Sequence, residues 1–210
     1  MKTSKIFGHW LYVSFILFYS GTIFPNELFQ FEGAVVTSNA LATEAGEKIL
    51  AEGGNAYDAA TTISAMLSVV EPFASGLGGG AFWLIYDAKS KEYKMLDARE
   101  TAPLQSHKNM YLDENEDIIK NISTLGPLSA GIPGIPAALS FVNDKYGSKK
   151  LSALLAPAYE AAINGFPVNE RYLKGANYKK KWLKKYKETE AIFLDRGEVP
   201  KKGWILKQTD

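Results

Sequence analysis

Apolar residues recur every three or four positions in two consecutive stretches, Leu41, Ala45, Ile49 and Leu50 in the first and Ala59, Ile63, Met66, Leu67 and Val70 in the second. That spacing lines one face of an α-helix and predicts two helices. Between them Gly53 and Gly54 suit a left-handed helix end. Asn55, with Asp58 three residues on, reads as a capping box, and Pro72 forbids continuation of the second helix. Ahead of the pair, "GAVVTS" (33–38) reads as a short apolar strand. After it the period shortens to two. Ala81 to Tyr86 is a strand candidate rich in aromatic and branched residues, 87–92 a polar turn, and Tyr93 to Leu96 a returning strand. The hairpin delivers Asp97, Arg99 and Glu100 into a polar loop that stops at Pro103. A loop held at a strand end is a common place for a binding residue, and a surface ion pair is the competing reading of Arg99.

Farther on, Pro133 and Pro136 mark a helix start and Gly147 its end. "LSALLAPAYEAAINGF" predicts another apolar helix, with Pro157 as a boundary or kink. Trp182 and Tyr186 lie four apart in a lysine-rich stretch, as if facing a core while Lys179, Lys180, Lys181, Lys184, Lys185 and Lys187 solvate the other side.

Residues 1–32 differ from the rest. Lys2 and Lys5 precede an apolar run from Trp10 to Phe24, the pattern of a signal peptide or, with residues 6–24 retained, an N-terminal membrane anchor. The expectation is an exported protein, periplasmic or secreted, or else membrane-anchored.

Composition narrows the chemistry. The 210 residues carry 24 basic and 23 acidic side chains, a balance that gives no general electrostatic case for nucleic acid. With no cysteine, disulfides, thiolate nucleophiles and cysteine-ligated metals are excluded. His9 and His107 lie far apart without partners at metal-ligand spacing, so neither a metal nor a cofactor is expected. "GLGGGA" fits the letters of a dinucleotide fingerprint, but its order is helix, glycine loop, strand, where the fingerprint needs strand, loop, helix. Close backbone packing explains the glycines better. Asn121 to Ser123 forms a glycosylation sequon, meaningful only in a glycosylating compartment. No serine or threonine has a recognisable base, and no G-x-S-x-G or H-E-x-x-H occurs. An N-terminal threonine, using its own α-amino group as base, would be an escape from that shortage.

Taken in order, "LATEAGEKILAEGGNAYDAA", "VVEPFASGLGGGAFWLIYD", "LDARETAP", "GIPGIPAAL", "YGSKKLSALLAPAYEAAINGFPV" and "GWILKQTD" resemble the γ-glutamyltranspeptidase (glutathione hydrolase) family, from the start of its large subunit across Gly33 to Asp210. The resemblance implies an α/β (α+β) fold, part of the αββα sandwich of N-terminal nucleophile hydrolases, incomplete in this chain. It implies a precursor that cuts itself and cleaves glutathione or other γ-glutamyl compounds through a γ-glutamyl-threonine ester, passing the acyl group to water, amino acids or peptides. Arg99 of "RETAP" matches the arginine that binds the substrate's α-carboxylate, a task suited to a planar guanidinium. Glu100 is expected to steady it. The nucleophilic threonine, oxyanion glycines and α-amino contacts belong, by resemblance, to a small subunit outside these residues, and Gly78, Gly79 and Gly80 are not those glycines. The chain alone is therefore expected to be inactive, truncated at its C-terminus, and poorly soluble. Two alternatives stand beside this: an inactive fragment or pseudoenzyme, and a related acylase acting on another amide.

Overall fold

In the computed structural model, which describes residues 33–209, the two periodic stretches form α1 (Ala40–Ala51) and α2 (Ala56–Val70). The chain divides into two units, Met1–Ala34 and Val35–Asp210, and all the helices and strands described belong to the second. The signal or anchor expected at 1–32 lies outside the described residues. Among those described, no helix is long and apolar enough to cross a membrane.

Helix α1 buries Ala42, Ala45 and Ile49, and Gly53 after it takes the left-handed conformation, φ 80°. The capping box at α2 is complete: the Asn55 side chain accepts from the Tyr57 and Asp58 amides while Asp58 accepts from the Asn55 amide at 2.9 Å. Residues 33–38 form no strand. Branched residues favour strands only where a neighbour offers a ladder, and Val36 stands almost wholly in solvent. The Thr37 hydroxyl is spent instead on the start of α1, donating to the Asn39 carbonyl at 2.7 Å while Asn39 caps Leu41.

The expected hairpin is present and longer than the periodicity indicated. Strands β1 (Ala81–Asp87) and β2 (Glu92–Ala98) pair antiparallel with Ala81 opposite Ala98 and Leu84 opposite Met95. Its two faces differ. Ile85 and Ala98 are buried on the side turned toward the helices, whereas Phe82, Leu84, Tyr86, Tyr93 and Met95 are exposed together on the other. Such a contiguous apolar sheet face is rare on a finished surface.

After an irregular, mostly exposed run come α3 (Ile135–Tyr146), α4 (Leu151–Asn164), α5 (Glu170–Leu183) and α6 (Lys187–Phe193). Two-residue strands β3 (Phe166–Pro167) and β4 (Ile205–Leu206) pair with each other. Pro157 creates no boundary, since α4 runs through it. Trp182 and Tyr186 do not share a helix: α5 ends at Leu183, leaving Trp182 half-buried and Tyr186 exposed just before α6. The core joins α1, α2, α4 and α5 with β3 and β4 through Ala42, Met66, Val70, Ala158, Phe166, Tyr172 and Leu206. Burial pushes the Tyr172 hydroxyl's pKa upward, and it donates to the Phe193 carbonyl at 2.7 Å, tying α5 to α6.

Asp58 locks the start of α2 to the turn between α3 and α4. Fully buried, it accepts from the amides of Asn55, Ser148 and Lys149 and from the Ser148 hydroxyl. Burial by itself raises this carboxyl's pKa, but the Ser148 hydroxyl and the three amides outweigh it and hold the group below the usual carboxylate range. A carboxyl depressed on folding contributes stability above its unfolded value of about 3.9 and loses it as pH falls through the folded value. Asp58→Ala should cost about 3 kcal/mol at neutral pH, because several buried donors lose their acceptor. Denaturant melts across pH should show wild-type stability falling more steeply below about pH 4 than that of Asp58→Asn. Parallel pH profiles for the two would contradict the assignment.

Candidate functional site

The chain reaches Arg99 as the hairpin ends, and backbone contacts with two glycine-rich loops hold it there. Thr101 and Ile132 form a two-way bridge, Thr101 N to Ile132 O at 3.2 Å and Ile132 N to Thr101 O at 2.8 Å. Gly79's carbonyl accepts from the amides of Gly134 and Ile135 at 3.2 and 3.3 Å, drawing the loop after α2 onto the first turn of α3. The segment 98–101 is thereby clasped between the "GLGGG" and "GIPG" loops.

No side chain fits at two of these points. A Cβ at Gly80 would lie 2.6 Å from Glu100 Oε2 and 2.8 Å from the Ala98 carbonyl oxygen. A Cβ at Gly134 would overlap that same carbonyl. Backbone-to-backbone contact of this kind is what glycine permits. The expectation of packing glycines thus holds for Gly80, whereas a Cβ at Gly79 would meet its neighbours only at ordinary contact distance and around Gly78 there is open space. The observed order of α2, glycine loop and β1 also bears out the rejection of a dinucleotide fingerprint.

Within the clasp the Arg99 amide donates to Asp97 Oδ1 at 2.9 Å. Its side chain, 63% exposed, sends Nε to within 3.5 Å of Glu100 Oε2 and lays the guanidinium 5.8 Å from the centre of the Phe82 ring. One edge of the guanidinium faces Glu100, and the ring supports its plane. Among the described residues no hydrogen bond occupies its terminal nitrogens. Those two nitrogens form the fork that matches a carboxylate through parallel charge-assisted bonds. Local reading of the sequence offered an ion pair or a binding residue. The geometry shows the ion pair, with Glu100, and leaves the remaining edge of the guanidinium open.

Because 93, 95, 97 and 99 alternate along one strand direction, Arg99 continues the hairpin's exposed apolar face and stands at its end beside Phe82. The site is therefore an open ledge, bounded by apolar surface on one side. Arg99 and Glu100 stand out in the sequence, whereas the approach of Phe82 and Gly134 to them is seen only in the fold. The repeat of Gly and Pro in "GIPGIP" was visible, but nothing local indicated that it would close on residues 98–101.

A second buried acid also escaped notice. Glu71, only 1% exposed, accepts from the Ser38 hydroxyl at 3.1 Å and pairs with Arg171 at 3.2 Å, whose guanidinium lies over Phe73. It ties the end of α2 to the segment before α1 and to α5. Among the described residues no group of three or more acids or histidines could hold a metal ion.

Comparison with known proteins places these features. A family model described as Gamma-glutamyltranspeptidase matches residues 42–210. The chain is 37% identical over 182 residues to the glutathione hydrolase proenzyme of Bacillus subtilis strain 168, a match covering 85% of this chain and 30% of the relative. The crystal structure of Helicobacter pylori gamma-glutamyltranspeptidase superposes with a TM-score of 0.81 at 38% identity, over 85% of this chain and 51% of that one. A cephalosporin acylase from Bacillus halodurans superposes with a TM-score of 0.68 at 28% identity, over 80% of this chain and 32% of that one. The chain thus spans less than a third of the curated relative's length.

Proposed function

This chain belongs to the gamma-glutamyltranspeptidase family, and we propose that it is the front part of a precursor whose complete form cleaves γ-glutamyl amides such as glutathione. In this reading Arg99 receives the α-carboxylate of the γ-glutamyl group on its open edge, and Glu100 fixes the guanidinium from the Nε side. The observation that carries the reading is the clasped, forward-facing Arg99 beside Phe82. Holding the far end of the substrate in one orientation converts binding energy into placement of the γ-carbonyl.

The nucleophile is a threonine outside residues 1–210, freed by self-cleavage so that its own amine serves as base, and it attacks the γ-carbonyl to form an ester and release the amine. Water, an amino acid or a peptide then takes the acyl group. The exposed apolar face of β1 and β2 supports an incomplete αββα sandwich, with the second sheet of the same precursor packing against Phe82, Leu84 and Met95. That sheet would arrive next to Arg99, because the arginine terminates the face it covers. Export, or anchoring by residues 6–24, is the accompanying proposal for location.

The test uses the complete precursor and three anilides differing in one group each. The γ-glutamyl anilide should turn over, and the 4-aminobutyryl anilide, which lacks the α-carboxylate, should react on the order of a hundred-fold more slowly, the worth of two charge-assisted hydrogen bonds. Faster turnover of the glutaryl anilide, which lacks only the α-amino group, would favour the acylase reading. Equal rates for all three would overturn the proposal.

A further inference from the structure

The basic stretch of α5 and the turn after it has no part in the site above. Residues 170–187 hold eight of the chain's 24 Lys and Arg residues against the single acid Glu170, leaving the remainder net negative. A charge-balanced protein therefore carries one concentrated positive region. Part of it is used internally: Lys180 pairs with Glu198, Lys184 approaches the same carboxylate at 3.8 Å, and Arg171 holds Glu71.

The rest faces outward in a pattern. Helix α5 turns Tyr172, Ala176 and Leu183 toward the core. Lys174, Tyr178 and Lys181, spaced four and three apart, form a stripe on the opposite side, and Lys185 follows in the turn. All four are exposed, Tyr178 at 81%. Among the described residues none of Lys174, Lys181 and Lys185 has a carboxylate within salt-bridge distance. Aromatic rings are threaded through the lysines: Lys181 and Lys185 lie 5.9 and 5.8 Å from the Trp182 ring, and Lys185 lies 5.4 Å from that of Tyr186.

We infer that this face is a docking surface for an anionic lipid membrane. Clustered lysines are drawn to anionic headgroups, and tyrosine and tryptophan settle at the headgroup level because each has an apolar body and a polar tip. Since the apolar side of α5 is committed to the core, the helix would rest on the surface rather than insert. Its attachment should then be reversible and sensitive to salt. The proposed export or anchoring of residues 1–32 supplies the occasion, because it brings the chain to a membrane. Single-stranded nucleic acid, the other polymer that suits lysines with interleaved aromatics, is the competing partner.

The experiment is co-sedimentation of the complete precursor, cleared of aggregate by a spin without lipid, with vesicles of phosphatidylcholine alone or mixed with phosphatidylglycerol. The phosphatidylcholine arm measures whatever the N-terminal apolar run contributes. The expected result is a preference for phosphatidylglycerol that vanishes at raised salt. It should fall by about a hundred-fold in the triple variant Lys174→Gln, Lys181→Gln, Lys185→Gln, each lysine contributing roughly a factor of five. The matching triple Lys→Arg variant should retain it, which separates charge from folding. Equal binding to both vesicle types, a preference untouched by the glutamines, or tighter binding to a single-stranded oligonucleotide than to anionic vesicles would each overturn the proposal.

Discussion

Gly134→Ala is expected to be among the most damaging single substitutions in the described chain. The added methyl group would occupy the position of the Ala98 carbonyl oxygen and press on the Arg99 carbonyl, 2.8 Å away. Both are backbone atoms that no rotamer change can move. Overpacking costs about 1 to 3 kcal/mol where side chains can shift, so about 3 kcal/mol or more is expected here, a loss of roughly 6 to 12 °C in melting temperature for a chain this size. Gly134 has helical φ and ψ of −95° and −25°, so alanine's conformational preferences are not the cause. The effect is steric. Gly78→Ala provides the control, since open space surrounds that position and its substitution should change stability by less than about 0.5 kcal/mol. Thermal melts of the two variants check this. Comparable melting temperatures would mean that the two loops do not grip residues 98–101 as described.

Removal of the Arg99 side chain should leave stability nearly unchanged and reduce function severely. Its guanidinium is largely in solvent, and its pairing with Glu100 is an exposed ion pair of the kind that contributes little to folding. In the complete precursor, Arg99→Ala should lower kcat/KM for a γ-glutamyl anilide by on the order of a hundred-fold, two charge-assisted bonds being lost. Arg99→Lys should recover only part of the loss, because an ammonium supplies a point charge without the planar fork. A variant of unaltered melting temperature and unaltered kcat/KM would remove Arg99 from the site.

The contrast between these residues explains what could be read from the sequence. Helices α1 and α2 and the hairpin were legible because their signals are local: a 3.6-residue period, a capping box at Asn55 and Asp58, and a period of two from Ala81 onward. Failures came where the outcome depends on distant neighbours. Residues 33–38 have strand propensity but, among the described residues, no strand to pair with. Pro157 sits inside α4 without ending it, which removes the boundary and not the kink, and Tyr186 falls beyond the end of the helix that carries Trp182. The binding role proposed for Arg99 comes from the ordered family blocks, since local spacing fits a surface ion pair and the structure shows one with Glu100. The contacts of Gly134 with Ala98 join positions 36 apart in the chain. Composition alone could not reveal that "GIPG" would complete the clasp.

The hairpin's exposed face joins fold and function. Phe82 belongs to it, supports the Arg99 guanidinium, and in the proposed complete sandwich would be partly covered by the sheet that brings the nucleophile. Burial there would lower the local dielectric and strengthen the bond between Arg99 and a carboxylate. Arg99 stands at the end of the face rather than its middle, which leaves one side of its guanidinium open.

The most direct measurement crosses the two changes that should share one interaction. Wild type and Arg99→Ala of the complete precursor are each assayed with γ-glutamyl anilide and with 4-aminobutyryl anilide. If Arg99 holds the α-carboxylate, the substitution costs about a hundred-fold in kcat/KM on the first substrate and less than about three-fold on the second, because the group it binds is already absent. An equal loss on both substrates would show that Arg99 acts on something other than the carboxylate and would contradict the account.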